Sequence, residues 1–178
     1  MTIADGDAVN LSWSRMSLHT GAHADAPSHF EAGAATIDQA PLEAYLGPAR
    51  LATLSGEGAI GPDEVGPILA ANPERLLLRC HPEFDPDRFP RRIRHFTREA
   101  ATRIGLAGTK LIGVDAPSVD PIESKDLPAH RAFGQSGVAI LENLLLAGVP
   151  DGEYELIALP LRIVGGDASP VRAVLRRA

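Results

Sequence analysis

Between His19 and His29 the chain reads HTGAHADAPSH, so three of its six histidines and one aspartate fall within eleven residues. Imidazole and carboxylate are the ligands that suit zinc and related transition metals. Gly21 and Pro27 let the end of a strand turn so that several of these side chains converge. The spacing reads as a metal loop, set against the plainer alternative of an exposed turn rich in histidine. Glu142 lies in GVAILENLLLAG, where strand alternation puts its carboxylate on the same side as Val138, Ile140 and Leu144. A bare charge there is costly unless a cation or several donors offset it. The competing reading is a helix with Glu142 and Asn143 on its wet face. His130, in the polar segment ESKDLPAHRAF after Pro128, supplies either a further nitrogen to the same centre or an ordinary solvated loop side chain.

The other candidates carry less. His81, between a strand and Pro82, and His95, within an arginine-rich run, read as solvent-facing. Cys80 reads as a buried small hydrophobe, because no adjacent lysine or helix start lowers its pKa. Five arginines fall between Arg88 and Arg98, in RFPRRIRHFTR. With an acidic chain and no recognition motif around it, this run reads as a solvated helix start or an anion-contacting lid, not as a nucleic-acid surface. No GxGxxG, GxxxxGK[ST] or GxSxG pattern is present, so nucleotide and serine-hydrolase chemistry lack their signatures.

Elements able to hold such a centre are short. Fifteen prolines and seventeen glycines are spread along the 178 residues, as in a chain of many brief segments joined by turns. Alternation in AVNLSWSRMSLHT (8–20) predicts a strand ending at His19. Further strands are expected at ARLATLS (49–55), RLLLRC (75–80), KLIGVD (110–115) and YELIALPLRI (154–163). GPDEVGPILAA (61–71) opens like a helix, with Gly66 and Pro67 as interruptions. FTREAATRIGLAG (96–108) is the best helix, with Thr97 as its cap and Ala100, Ile104 and Leu106 facing inward. Strands outnumber helices and mix with them irregularly, which predicts a mixed α/β or α+β domain. At 18.8 kDa, with 44% hydrophobic residues, residues 1–178 are expected to form one domain. The formal charge of -6 argues against a nucleic-acid partner, the apolar runs are too short for a membrane span, and one cysteine suits a reducing, cytoplasmic compartment.

The segment HTGAHADAPSHF resembles the HxGxHxDxPxH signature of the cyclase-type metal-dependent hydrolases. The likeness continues through KLIGVDAPSVDPIESKDLPAHR, AILENLLLAGVPDGEYELIALPLRI and DASPVRAVLR, and so covers most of residues 8–177. It implies a swivelling β/β/α domain, usually a homodimer. It also implies that His19, His23 and Asp25 hold one metal ion and His130 a second, with Asp25 and Glu142 bridging them and His29 as the catalytic acid/base. The ions implied are Zn2+, two per chain, with Mn2+ as the alternative. The activity implied is hydrolysis of N-formyl-L-kynurenine to L-kynurenine and formate, the small-molecule substrate of that branch. Another amide such as isatin, or a metal-binding, dimer-forming protein with little catalysis, are the rival expectations. Two departures stand out: Ala22 where many relatives have threonine, and an expected lack, at the amino end, of the family's usual first strand and pocket-lining tryptophan, for which Trp13 is not a substitute.

Overall fold

The computed structural model describes residues 1–81, 85 and 88–177. Apolar runs bounded by Gly, Pro and Asp form the strands β1 (His23–Asp25), β2 (Leu46–Thr53), β3 (Ala59–Ile60), β4 (Arg75–Arg79) and β5 (His95–Phe96). The series continues with β6 (Leu111–Val114), β7 (Ala139–Glu142), β8 (Gly152–Ile157), β9 (Ala168–Pro170) and β10 (Val174–Arg176). Helices α1 (Pro62–Leu69), α2 (Arg98–Leu106) and α3 (Pro128–Gln135) lie between them. One sheet has the order β10, β8, β2, β4, β6, β7, β1, β9, and β3 pairs with β5 apart from it. Its middle strands β2, β4, β6 and β7 run parallel, with antiparallel strands on both flanks. The class is mixed α+β, as the irregular order of segments predicts.

β9 and β10 stand at opposite ends of that order, yet only residues 171–173 separate them in the chain. The sheet therefore curls until its edges meet. Ala168–Pro170 pairs with β1, Val171 donates from its backbone N to Ala22 O at 2.9 Å, and Val174–Arg176 pairs with β8.

Strand alternation divides the core. Leu76, Leu78, Ile112 and Ile140 meet Val65, Ile104 and Phe133 from the three helices. Leu77, Leu111 and Leu141 point the other way, where Leu51, Tyr154 and Leu156 join them. Gly113, in β6, belongs to this second face, and a Cβ there would stand 2.5 Å from Leu77 Cδ2 and 2.7 Å from Leu144 Cδ1. Gly113→Ala is expected to cost about 1–3 kcal/mol through overpacking. A denaturant midpoint unchanged from the parent protein would count against this packing.

Four expectations are corrected. Residues 8–20 form no strand: Leu11, Trp13 and Met16 are exposed, and an alternating pattern makes a strand only where an edge is free to pair with it. α1 runs through Gly66 and Pro67, since Val65 and Leu69 are anchored in the core on either side. α2 is capped by Thr97 Oγ1, which accepts from Ala100 N, but Leu106 is 84% exposed at its end. β8 stops at Ile157 rather than continuing to Ile163, leaving Leu159 and Leu161 exposed.

Candidate metal centre

β1 and β7 pair antiparallel with His23 opposite Glu142 and Asp25 opposite Ile140. Because side chains alternate, His23 and Asp25 share one face of β1 while Ala24 packs into the core behind them. His23 Nε2 lies 3.3 Å from Asp25 Oδ1 and 3.5 Å from Glu142 Oε2. His19 reaches the same place from the preceding turn, with Nδ1 3.1 Å from Asp25 Oδ1. Glu142 is fixed by Val119 N, which donates to its Oε1 at 2.8 Å. The strand reading of residues 139–142 therefore holds over the helical one.

His130 enters from α3. Its Nε2 stands 3.4 Å from both Asp25 Oδ2 and Glu142 Oε1. The sequence placed this residue in a polar loop; it is instead helical and 2% exposed. Pro128 opens the helix, and Leu127, with φ 45° in the left-handed region, turns the chain into it. Asp120, missed in the sequence, holds the ring: Oδ2 accepts from His130 Nδ1 at 2.7 Å and from His130 N at 3.0 Å, and Oδ1 accepts from Ala129 N at 2.9 Å. Such a carboxylate fixes which imidazole nitrogen is presented and raises its basicity. Asp120→Asn is expected to weaken metal retention about 10- to 100-fold, read by competition with a coloured chelator. Unchanged retention would remove that role.

Among the described residues the groups able to hold an ion are His19, His23, Asp25 and Asp25, His130, Glu142, which share Asp25, and a more exposed one at the rim, His19, His29, Asp167. His23 Nδ1 is taken up by Gly21 O at 2.8 Å, so its Nε2 and that of His130 both look at carboxylates. Both nitrogens and both Asp25 oxygens are buried without a hydrogen-bond partner. Burial opposes charge on His23 and His130, yet the facing carboxylates of Asp25 and Glu142 and, for His130, first of all Asp120 outweigh it, holding them up at about 10 and about 11. Asp25 is driven well below the usual carboxylate range, its burial overcome by His130, His19 and His23. A site that clings to protons so strongly has a negative potential suited to a cation. Soft-to-intermediate nitrogen with carboxylate oxygen is a donor set for zinc or manganese, so the residues fit a metal.

His29 stands at the mouth of this cluster on the 3-10 turn Pro27–His29. Its ring is 4.2 Å from that of His19 and 5.8 Å from that of His130, centroid to centroid. Its Nδ1 is 3.6 Å from Asp167 Oδ2, which also lies 3.2 Å from His19 Nε2. Asp167 is the second residue that sequence reasoning missed; it lies 148 positions from His19, and no local spacing marks it. For Asp120, the available signal was an acid directly before a proline and ten residues ahead of a candidate ligand. His81 and His95 are half-buried rather than solvent-facing, and His81 Nε2 accepts from Arg94 N at 3.1 Å. Neither joins the cluster. Cys80 is buried as expected, and burial beside Asp115 pushes its thiol up to about 12.

The model of the Cyclase family, described as "Putative cyclase", matches residues 4–121. A kynurenine formamidase of Salinibacter ruber (strain DSM 13855 / M31) is 44% identical over 176 residues, covering 98% of this chain and 83% of its own length. That of Maricaulis maris (strain MCS10) is 45% identical over 169 residues, covering 94% and 81%. A solved structure described as a potential metal-dependent hydrolase with cyclase activity superimposes with a TM-score of 0.82 at 31% identity, over 92% of this chain and 82% of its own. An isatin hydrolase bound to the product analogue thioisatinate superimposes with a TM-score of 0.75 at 20% identity, over 92% and 73%, a likeness of fold alone.

Proposed function

Since the chain belongs to the Cyclase family, we propose that it is an arylformamidase that hydrolyses N-formyl-L-kynurenine to L-kynurenine and formate. The observation that carries this reading is the 44% identity with a kynurenine formamidase across 98% of the chain. The convergence of His19, His23, Asp25, His130 and Glu142 supports it. In this reading His19, His23 and Asp25 hold one Zn2+ ion, and Asp25, His130 and Glu142 a second. When bound, the metal supplies Lewis acidity, which acidifies water and offsets charge on the formyl oxygen. Asp120 keeps His130 aimed inward, and Asp167 stands 3.6 Å from His29 Nδ1. His29 takes a proton from the attacking water and gives it to the aryl amine nitrogen as the C–N bond breaks. Water thus contributes hydroxide to the formyl carbon and, through His29, its proton to the amine; formic acid then loses its own proton to the medium, so the products are formate and the free amine.

Residues 1–178 act as one domain, a reading supported by two apolar clusters built on opposite faces of the same sheet. A homodimer is supported by the exposed apolar side chains of Leu11, Trp13 and Met16 ahead of the site. A cytoplasmic location is supported by the single, unpaired cysteine. None of the helices among the described residues is long and apolar enough to cross a membrane. The deciding experiment is steady-state turnover of N-formyl-L-kynurenine and of isatin by zinc-loaded protein. Preference for the formyl substrate is expected; turnover of isatin alone would overturn the assignment.

A further inference from the structure

We infer that the cavity beside the arginine run takes the head of an α-amino acid, a group carrying carboxylate and ammonium together. This rests on the formamidase reading for the identity of the ligand, though not for the site itself. The cavity has a volume of ≈760 Å³, and its walls include Arg91, Arg92, Arg94, Glu57 and Glu123, with Ile122 as an apolar patch.

Arg91 and Arg92 are exposed, and among the described residues their side chains form no ion pair or hydrogen bond; the same is true of Glu57 and Glu123. Two cations and two carboxylates thus face one space without pairing across it. A ligand with only a negative charge would meet the glutamates, and one with only a positive charge would meet the arginines. A zwitterion can satisfy both. Arg94 fixes the wall in place: it is 5% exposed, and its guanidinium is ion-paired with Glu64 Oε2 at 2.6 Å and donates to Ser55 O at 3.0 Å. Its Nε is buried with no acceptor, so its bonding capacity is only partly used. Arginine is suited to a planar carboxylate because its donors match both oxygens.

The position relative to the metal centre supports the same ligand. His81, at the end of β4, lines the cavity, and β4, β6 and β7 are parallel neighbours whose C-terminal ends lie on one edge. Glu142 ends β7, which lies two strand spacings, ~10 Å, from β4. Ligands of parallel sheets bind in the crevice outside such ends. The loop 115–121 touches both places: Val119 N donates to Glu142 Oε1, Phe96 N donates to Val119 O at 2.9 Å, and Pro121 lines the cavity. In N-formyl-L-kynurenine roughly six bonds, ~7 Å, separate the formyl carbon from the α-carbon. With an arginine side chain reaching inward, that span suits a formyl group at the metals and a charged head at the arginines.

The test uses zinc-loaded protein and the double variant Arg91→Ala, Arg92→Ala, whose exposed sites leave the core intact. Titration calorimetry with L-kynurenine reads the cavity without turnover, and kinetics compare N-formyl-L-kynurenine with formanilide, which lacks the head group. Expected is roughly tenfold or more weaker kynurenine binding, and a rise in KM for N-formyl-L-kynurenine at least about tenfold greater than that for formanilide. Weaker kynurenine binding with equal effects on the two substrates would place the amino-acid site apart from the substrate's own head, with the same ligand chemistry. Kynurenine binding equal in parent and variant, with no difference between substrates, would overturn the inference. Arginine-dependent kynurenine binding without hydrolysis of either formamide would sink the formamidase reading and leave the cavity's assignment standing.

Discussion

Replacing Asp25 with alanine is expected to strip the protein of most of its bound metal and, with it, nearly all activity. The side chain is fully buried, and its two oxygens face in different directions: Oδ1 toward His19 and His23, Oδ2 toward His130. It is the one residue common to both of the central ligand groups, so its loss leaves each of them with two donors. The change also leaves the surrounding histidines without the carboxylate that offsets their charge, and an unmatched buried charge costs about 3–5 kcal/mol. Asp25→Asn, which keeps the volume and one oxygen, separates metal loss from unfolding. Elemental analysis of both variants, alongside circular dichroism, is the measurement. A folded variant with the parent's full metal content would remove Asp25 from the centre.

For His29→Ala the expected pattern is the opposite: metal retained, with kcat reduced about 10²- to 10⁴-fold as befits loss of a general acid/base. His29 stands apart from the two central groups and shares Asp167 with His19 at the rim. Its removal therefore takes no donor from beneath. Metal content and kcat are to be measured on the same preparation. Parallel loss of both would make His29 a ligand.

The loop from His19 to His29 was legible in the sequence because its donors are nearly contiguous, and a strand needs only alternation to put His23 and Asp25 on one face. Glu142 was legible for a different reason, as a charge in an apolar run, and its burial at 3% exposure bears out the strand. His130 was placed in the wrong kind of element: PAHRAFGQ does bury one face, with Ala129, Ala132 and Phe133, but it is only eight residues long and its start depends on the left-handed turn at Leu127. Asp167 works through a tertiary contact that no short window contains, whereas Asp120 is only ten residues ahead of His130 and its role depends on how the loop between them folds. Residues 8–20 show the reverse failure: a good pattern with no partner strand among the described residues, leaving Trp13 87% exposed. The arginine run was legible as charge, but its place beside the sheet's C-terminal edge depends on β5 and the 115–121 loop.

The curl of the sheet also orders events in time. β1, which carries His23 and Asp25, emerges early from a ribosome, but its two neighbours are residues 139–142 and 168–170. A chain made from its amino end therefore holds these side chains for most of its synthesis without the strands that set their direction. Because β9 and β10 join the two edges, residues 168–176 complete both flanks at once. Contacts so distant in sequence form slowly, since the intervening chain must be closed into a loop first. Metal capture in the finished geometry is thus a late step in biogenesis, and a nascent chain stalled short of residue 168 presents its histidines to the cell without the pocket that selects among ions.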